Sequence, residues 1–255
     1  MKIFKKFCPL ITVALLIAIW YAMAAIVNMK LIMPTPYDTL KEMLSVFKSA
    51  EFYVALFGSA YRAVISFTIS FIFAVAFALL SNAYSVFERL FYPLIVIVRA
   101  TPTMSVIFLC LIWFSSKISP IIVSVTIILP TLYSAVTSAV KSCDDKIIEM
   151  SKVYKVPRAV MVKNYYLPHI TGTVFDDTVS ALSLNVKLII AAEALAQTSK
   201  GLGVLMQIAK LNLETATLFA YTAGAVILSF LFELLLKAIR LVVKEVKRAK
   251  TNRNY

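Results

Sequence analysis

Few residues in this 255-residue chain are equipped for chemistry, and most of them sit inside apolar runs. Arg99, Lys187, Glu193 and Glu233 interrupt stretches that are otherwise mostly hydrocarbon. A charge at bilayer depth is costly unless it finds a partner or water. Such groups either pair between helices or line a wet path, where Arg99 and Lys187 would favour an anionic solute. Pairing within one helix fails: Asp176 and Lys187 share a helical face but lie about 16 Å apart along a regular helix. No carboxylate pair, Ser/His/Asp set or metal-spaced cluster is arranged for catalysis. His169 is a lone histidine and reads as an interfacial residue. Cys8, Cys110 and Cys143 are scattered and odd in number, which gives no disulfide framework. None of the five glycines forms a phosphate-cradling loop. No cofactor is expected, and any ATP chemistry must come from another chain.

The elements that must position these groups are membrane spans. The chain is 61% hydrophobic with a mean hydropathy of +0.87, well above an ordinary soluble domain. The excess lies in long runs, which predicts an all-α polytopic membrane protein with six transmembrane helices. The spans read as Phe7 to Val27, Ala60 to Asn82, Phe91 to Phe114, Ile118 to Val140, Thr173 to Ala192 and Thr215 to Leu236. The first span reads as retained and not as a cleaved signal peptide, because it is long enough to cross a bilayer. Thr39 to Phe57 is mildly amphipathic and reads as a helix at the outer surface. Arg62, near the outer end of the second span, reads as a snorkelling residue without function. Three parts follow: a tail and first span over 1–33, a core over 34–236 with a polar loop at 141–170, and a basic tail over 237–255.

The formal net charge of +13 suggests nucleic acid until its distribution is considered. With the N-terminus inside, the inner segments hold Lys2, Lys5, Lys6, Arg89, six cations between Lys141 and Lys163, and seven from Lys237 onward. The outer segments hold only Lys30, Lys41, Lys48, Lys117, Lys200 and Lys210. Positive charge marks the cytoplasmic side, so both termini and the 141–170 loop are expected there. Topology and anionic lipid account for the basic balance, and no nucleic-acid partner is expected.

That loop is the most informative stretch. Asp144 and Asp145 stand where negative charge favours a helix start. Ile147, Ile148, Ser151 and Tyr154 recur at helical spacing. Pro157 blocks continuation but suits the first position of a new helix. Val160, Met161, Asn164 and Tyr165 then repeat the spacing, and Pro168 is expected to close the unit.

Glu149-Met150-Ser151, Lys155, Tyr165 and Leu167-Pro168 resemble, in spacing, the E-A-A, Gly, Ile and Leu-Pro positions of a loop in bacterial ABC importer permeases. The residue types match at Glu149, Leu167 and Pro168. The family's Gly suits a turn with positive φ, so Lys155 raises the expectation of a different turn. Arg99, Pro102 and Trp113-Phe114 resemble a segment of the nitrate/sulfonate/taurine/bicarbonate branch. So do Ala192-Glu193 and Ser199-Lys200-Gly201-Leu202-Gly203. The resemblance covers about Pro34 to Phe232.

The resemblance implies a permease subunit in the cell membrane, not an enzyme, that works by alternating access. It implies cytoplasmic ATPase subunits, an extracytoplasmic solute-binding protein and a second permease copy, as a homodimer in the lipid bilayer. It implies that Asp145, Ile148, Glu149, Met150, Ser151, Lys152, Val153, Tyr154, Lys155 and Pro157 form the ATPase-coupling interface. Arg99, Thr103, Asn185, Lys187 and Glu193 become candidates for the solute pathway or gate. The implied solute is a small organic or inorganic anion such as a sulfonate or nitrate. The alternative is a stand-alone secondary transporter, which commonly shows repeated halves; this chain shows none.

Overall fold

The computed structural model describes residues 2–252, with side chains described for 11–242 and 245. Among the described residues every regular element is helical. An outer layer comes first. Helix α1 (Lys2–Val27) is held by Trp20, whose indole donates to the Pro34 carbonyl at 3.1 Å and stacks on Phe219. Helix α2 (Pro36–Val46) starts with Pro36 in its first turn and Thr35 as N-cap, whose hydroxyl accepts from the Asp38 N–H.

The surface helix expected over Thr39 to Phe57 is two elements. The chain breaks at residues 47–49, and α3 (Ala50–Ala83) then runs 34 residues without interruption. One face of α3 is buried at Ala55, Ser59, Ala63, Ser66, Ser70, Ala74, Ala78 and Ser81, small residues at steps of three and four. Small side chains let helices approach closely where no hydrophobic force favours one apolar surface over another. Helix α6 (Ser119–Lys141), α10 (Phe175–Ala196) and α11 (Leu202–Leu211) pack on that face.

The third expected span, Phe91 to Phe114, is not straight. Helix α4 (Ser85–Ala100) and α5 (Thr103–Trp113) meet at 101°. The cause is Pro102. It has no N–H to continue α4, and it pushes Thr101 to extended backbone, with ψ of 129°.

The 141–170 loop folds as α7 (Asp145–Val153), α8 (Arg158–Met161), a π-helical turn over Val162–Tyr166, and α9 (Leu167–Thr173). Pro157 is the N-cap of α8, not its first residue. Pro168 does not close the unit, because the π turn passes straight into α9 with Pro168 in its opening turn. Proline is tolerated in an opening turn.

Helix α12 (Thr215–Asn252) carries the sixth expected span on into the basic tail as one rod of 38 residues, about 57 Å long. Three described helices, α3, α6 and α10, are long and apolar enough to cross a membrane by themselves, and the bent α4–α5 pair makes up to four. One apolar core lies toward the 141–170 loop and is built on Ala74, Ile128, Leu132, Val136, Tyr166 and Ile170. A second, on Phe52, Ala63, Ile189, Leu202 and Ala220, lies toward the other end.

Candidate solute pathway and coupling loop

Helix α10 has two distinct faces. Asn185, Ile189, Ala192 and Glu193 are buried, whereas Asp177, Ser180, Leu184 and Lys187 are exposed at steps of three, four and three. The exposed face borders two grooves. One, of about 430 Å³, lies between α6 and α10 and is lined by Thr131, Ser134, Ser138, Asp177 and Ser180. Arg99, at the end of α4, donates to the Ser134 hydroxyl on this wall at 3.2 Å. The other groove, of about 420 Å³, is mainly apolar and lies between α10, α11 and α12, with Lys187 and Lys210 on its lining. Arg99 and Lys187 therefore belong to different grooves of one chain. Thr103 is exposed in the first turn of α5, just past the bend.

The other two expected pathway residues are placed differently. Asn185 is fully buried where three helices meet. Its amide N–H donates to the Ala63 carbonyl at 2.7 Å, and its carbonyl accepts from the hydroxyls of Ser66, at 2.9 Å, and Ser124. It lines no open surface of this chain; it joins α3, α6 and α10.

Glu193 is also fully buried. Its carboxylate accepts from Ser59 Oγ at 2.6 Å, from Arg62 Nη1 at 2.6 Å and from the Gly203 N–H at 3.2 Å. Arg62 donates as well to the Lys200 carbonyl at 2.6 Å, and Ser59 accepts from the Leu202 N–H at 2.8 Å. A buried carboxylate needs this degree of partnering, since a charge removed from water is tolerated only when paired and hydrogen-bonded.

The glycines of the 199–203 segment have a steric reason in this cluster. A Cβ on Gly201 would lie 2.5–2.8 Å from the Glu193 carboxylate, and one on Gly203 would collide with the Ile190 carbonyl. Only glycine lets the loop between α10 and α11 fold down onto the acid.

Arg62 is thus no snorkelling residue. Its guanidinium side chain is only 11% exposed and pairs with Glu193. The signal was present in the sequence: Arg62, within the second expected span, and Glu193, at the end of the fifth, are opposite charges that each need a partner. Ser59, Ser66 and Ser124 carry no signal of this role in the sequence, because serines in apolar runs have no period of their own.

In the loop, Asp144 caps α7, its carboxylate accepting from the Lys146 N–H at 2.9 Å. Asp145, Glu149, Met150, Lys152, Val153 and Tyr154 are exposed, while Ser151 is buried and Ile148 packs on the apolar core. Ile148 and Ser151 therefore lie on the side of α7 that faces the bundle. At the end of α7 the Val156 N–H reaches the Ser151 carbonyl at 2.9 Å, and the Lys155 N–H reaches that of Lys152 at 3.1 Å. These two bonds make a Schellman ending, whose penultimate residue must be left-handed. Lys155 adopts that conformation with φ of 50°. The turn is the one a glycine would make, held in place by hydrogen bonds although the side chain disfavours it.

Residues 66–245 match the family described as the binding-protein-dependent transport system inner membrane component. The taurine transport system permease protein TauC of Escherichia coli (strain K12) is 26% identical over 239 residues, spanning 90% of this chain and 86% of that protein. The fold matches a crystal structure of a bacterial ABC transporter involved in the import of the acidic polysaccharide alginate. The TM-score there is 0.64 at 16% identity, over 93% of this chain and 96% of the other. The polar-faced apolar helices, the helical loop before α10 and these matches lead to one assignment: the chain belongs to the binding-protein-dependent transport family, as a multi-pass membrane permease subunit of an ABC importer and not an enzyme.

Proposed function

We propose that α7 is the element through which this permease engages a separate cytoplasmic ATPase, and that two identical copies enclose the solute between their α10 faces. The observation that carries the coupling reading is the uncovered side of α7. Val153 and Tyr154 are 77% and 75% exposed, with Met150 and Glu149 beside them, on a helix whose other side is anchored by Ile148 and Ser151. A short apolar ridge with one carboxylate suits insertion into a groove on a partner. Glu149 then supplies a charge-assisted bond to a basic group there. Losing such a bond at a closed interface costs roughly 2–5 kcal/mol.

Glu149→Ala should therefore reduce co-purification of the ATPase, or leave hydrolysis unresponsive to solute and binding protein in reconstituted vesicles. Normal association together with normal stimulated transport would overturn the reading. A Lys155→Cys variant, labelled in intact cells with an impermeant thiol reagent, tests the cytoplasmic placement; efficient labelling from outside would reverse it.

The solute we infer is a small organic anion of the sulfonate kind, delivered by an extracytoplasmic binding protein. Support comes from Arg99 and Lys187 on the exposed grooves and from the similarity to a taurine permease. Lys187→Gln should slow transport while leaving assembly and basal hydrolysis intact. Unchanged transport would remove Lys187 from the path.

A further inference from the structure

A cavity of about 580 Å³ lies behind α7, enclosed by the last turns of α3 and the segment that begins at Arg158. Its rim carries Lys152, Lys155 and Arg158, and no carboxylate lines it. Among the described residues none of these three cations forms an ion pair. Arg158 stands 6.0 Å from the Tyr84 ring, at the edge of cation–π range. Three like charges around one opening repel each other, and the cavity supplies nothing to offset them. Lys155 adds a second oddity, since a left-handed lysine holds its cation at this rim at a conformational cost that glycine would avoid.

The floor has a different character. Leu79, Ile148 and Val162 are partly buried there, with Ser151 and Tyr166 deeper still, whereas the three cations are exposed, so the lining is mainly apolar within and cationic at its mouth. Its depth in the membrane follows from α3. That helix is about 51 Å long, against about 40–45 Å for a bilayer with its headgroups. A helix of that length that crosses the bilayer brings its last residues, Leu79 to Ala83, out of the hydrocarbon to headgroup level or beyond.

We propose that this cavity binds a phosphate-bearing anion. The headgroup phosphate is held by Lys152, Lys155 and Arg158, and the apolar part rests on Leu79, Ile148 and Val162. An acidic phospholipid of the adjacent leaflet has both halves of this chemistry, and a soluble phosphate has only the first. Lysines act here as point charges, while the arginine fork grips two phosphate oxygens. The volume lies within the usual range for small-ligand sites. Ile148, Lys152 and Lys155 also stand in the expected coupling interface, so the test uses the permease alone, with no ATPase present.

The test is thermal unfolding of the purified full chain in detergent. It is titrated separately with short-chain phosphatidylglycerol, short-chain phosphatidylcholine and inorganic phosphate. Phosphatidylglycerol should raise the melting temperature of the parent protein, and phosphatidylcholine should not. In Lys155→Gly the unliganded protein should melt higher, because strain is relieved, while the apparent affinity for phosphatidylglycerol falls at least tenfold. A purely structural role for Lys155 would move the first quantity and leave the second alone. Lys152→Gln/Arg158→Gln should lose the response, and Lys247→Gln/Arg248→Gln in the basic tail should keep it. A response to inorganic phosphate as large as that to the lipid, and lost in the same variants, identifies a soluble anion as the ligand; a response to the lipid alone identifies the headgroup. No response to either, an equal response to phosphatidylcholine, or an undiminished affinity in Lys155→Gly overturns the proposal.

Discussion

Replacing Glu193 with alanine would strip one carboxylate from a cluster that ties α10 to α3 and to the loop before α11. Three donors lose their acceptor: Ser59 Oγ, Arg62 Nη1 and the Gly203 N–H. Arg62 keeps the Lys200 carbonyl, yet its charge stays almost wholly enclosed without a counter-ion. Removing one partner of a buried ion pair costs about 3–5 kcal/mol. For a chain of this size that corresponds to a fall in melting temperature of roughly 6–20 °C. Glu193→Gln keeps the shape and part of the bonding, so its cost should be smaller, about 1.5–3 kcal/mol, the worth of a hydrogen bond to a charged group. Thermal unfolding in detergent, read by loss of solubility or by circular dichroism, gives both numbers. A double-mutant cycle with Arg62→Met isolates the pair, and the double variant should lose less than the two single losses added together. Gly201→Ala should mimic the deletion, because its methyl would press on the same carboxylate. If Glu193→Ala melts within a degree of the parent, and Gly201→Ala does too, the cluster does not hold these helices and the reasoning fails.

Asn185→Leu should destabilise the chain by about 1–3 kcal/mol, since Ser66, Ser124 and the Ala63 carbonyl lose a buried partner; an unchanged melting temperature would show that the three-helix junction is held by packing alone. Thr35→Val should cost about 1 kcal/mol by removing the cap of α2, measured in the same assay. The Asp38 carboxyl is held below its ordinary value of 3.8, first by the Thr35 hydroxyl and then by Lys30. A lowered folded pKa gives stability that is present above the ordinary value and is lost as pH falls through the folded one. The acid side of a melting-temperature profile should therefore flatten in Asp38→Asn, and an identical profile would contradict this.

Much of the helical layout was legible because apolar length is a strong signal. The fourth span, read as Ile118 to Val140, is α6 at Ser119–Lys141. The bend after Ala100 was less legible. Pro102 stood in plain view, but an apolar run on both sides of it reads as one span until the turn of Thr101 to extended backbone is seen. Pro168 erred the other way: it read as a stop, and the π turn before it carries the helix through. In the site, the cost of Lys155 was foreseeable and the outcome was not. The choice between a strained lysine and another turn rests on the two backbone bonds that close α7. Arg62 was misread because snorkelling and pairing look alike in one dimension; only packing brings residues 62 and 193 side by side.

The two polar clusters on α10 have a mechanical meaning. Asn185 and Glu193 are eight residues apart, about 12 Å along the helix, and both bond to α3, through Ala63 and Ser66 at one level and Ser59 and Arg62 at the other. Two rivets at different heights forbid sliding and rotation between the two rods, so α3 and α10 travel as a single lever. Hinges must then lie elsewhere. The bend at residues 101–102, where the regular backbone ladder is interrupted, can flex without breaking either rivet. A rearrangement that left both rivets intact would have to swing α4 and α5 against the α3–α10 pair and not part that pair.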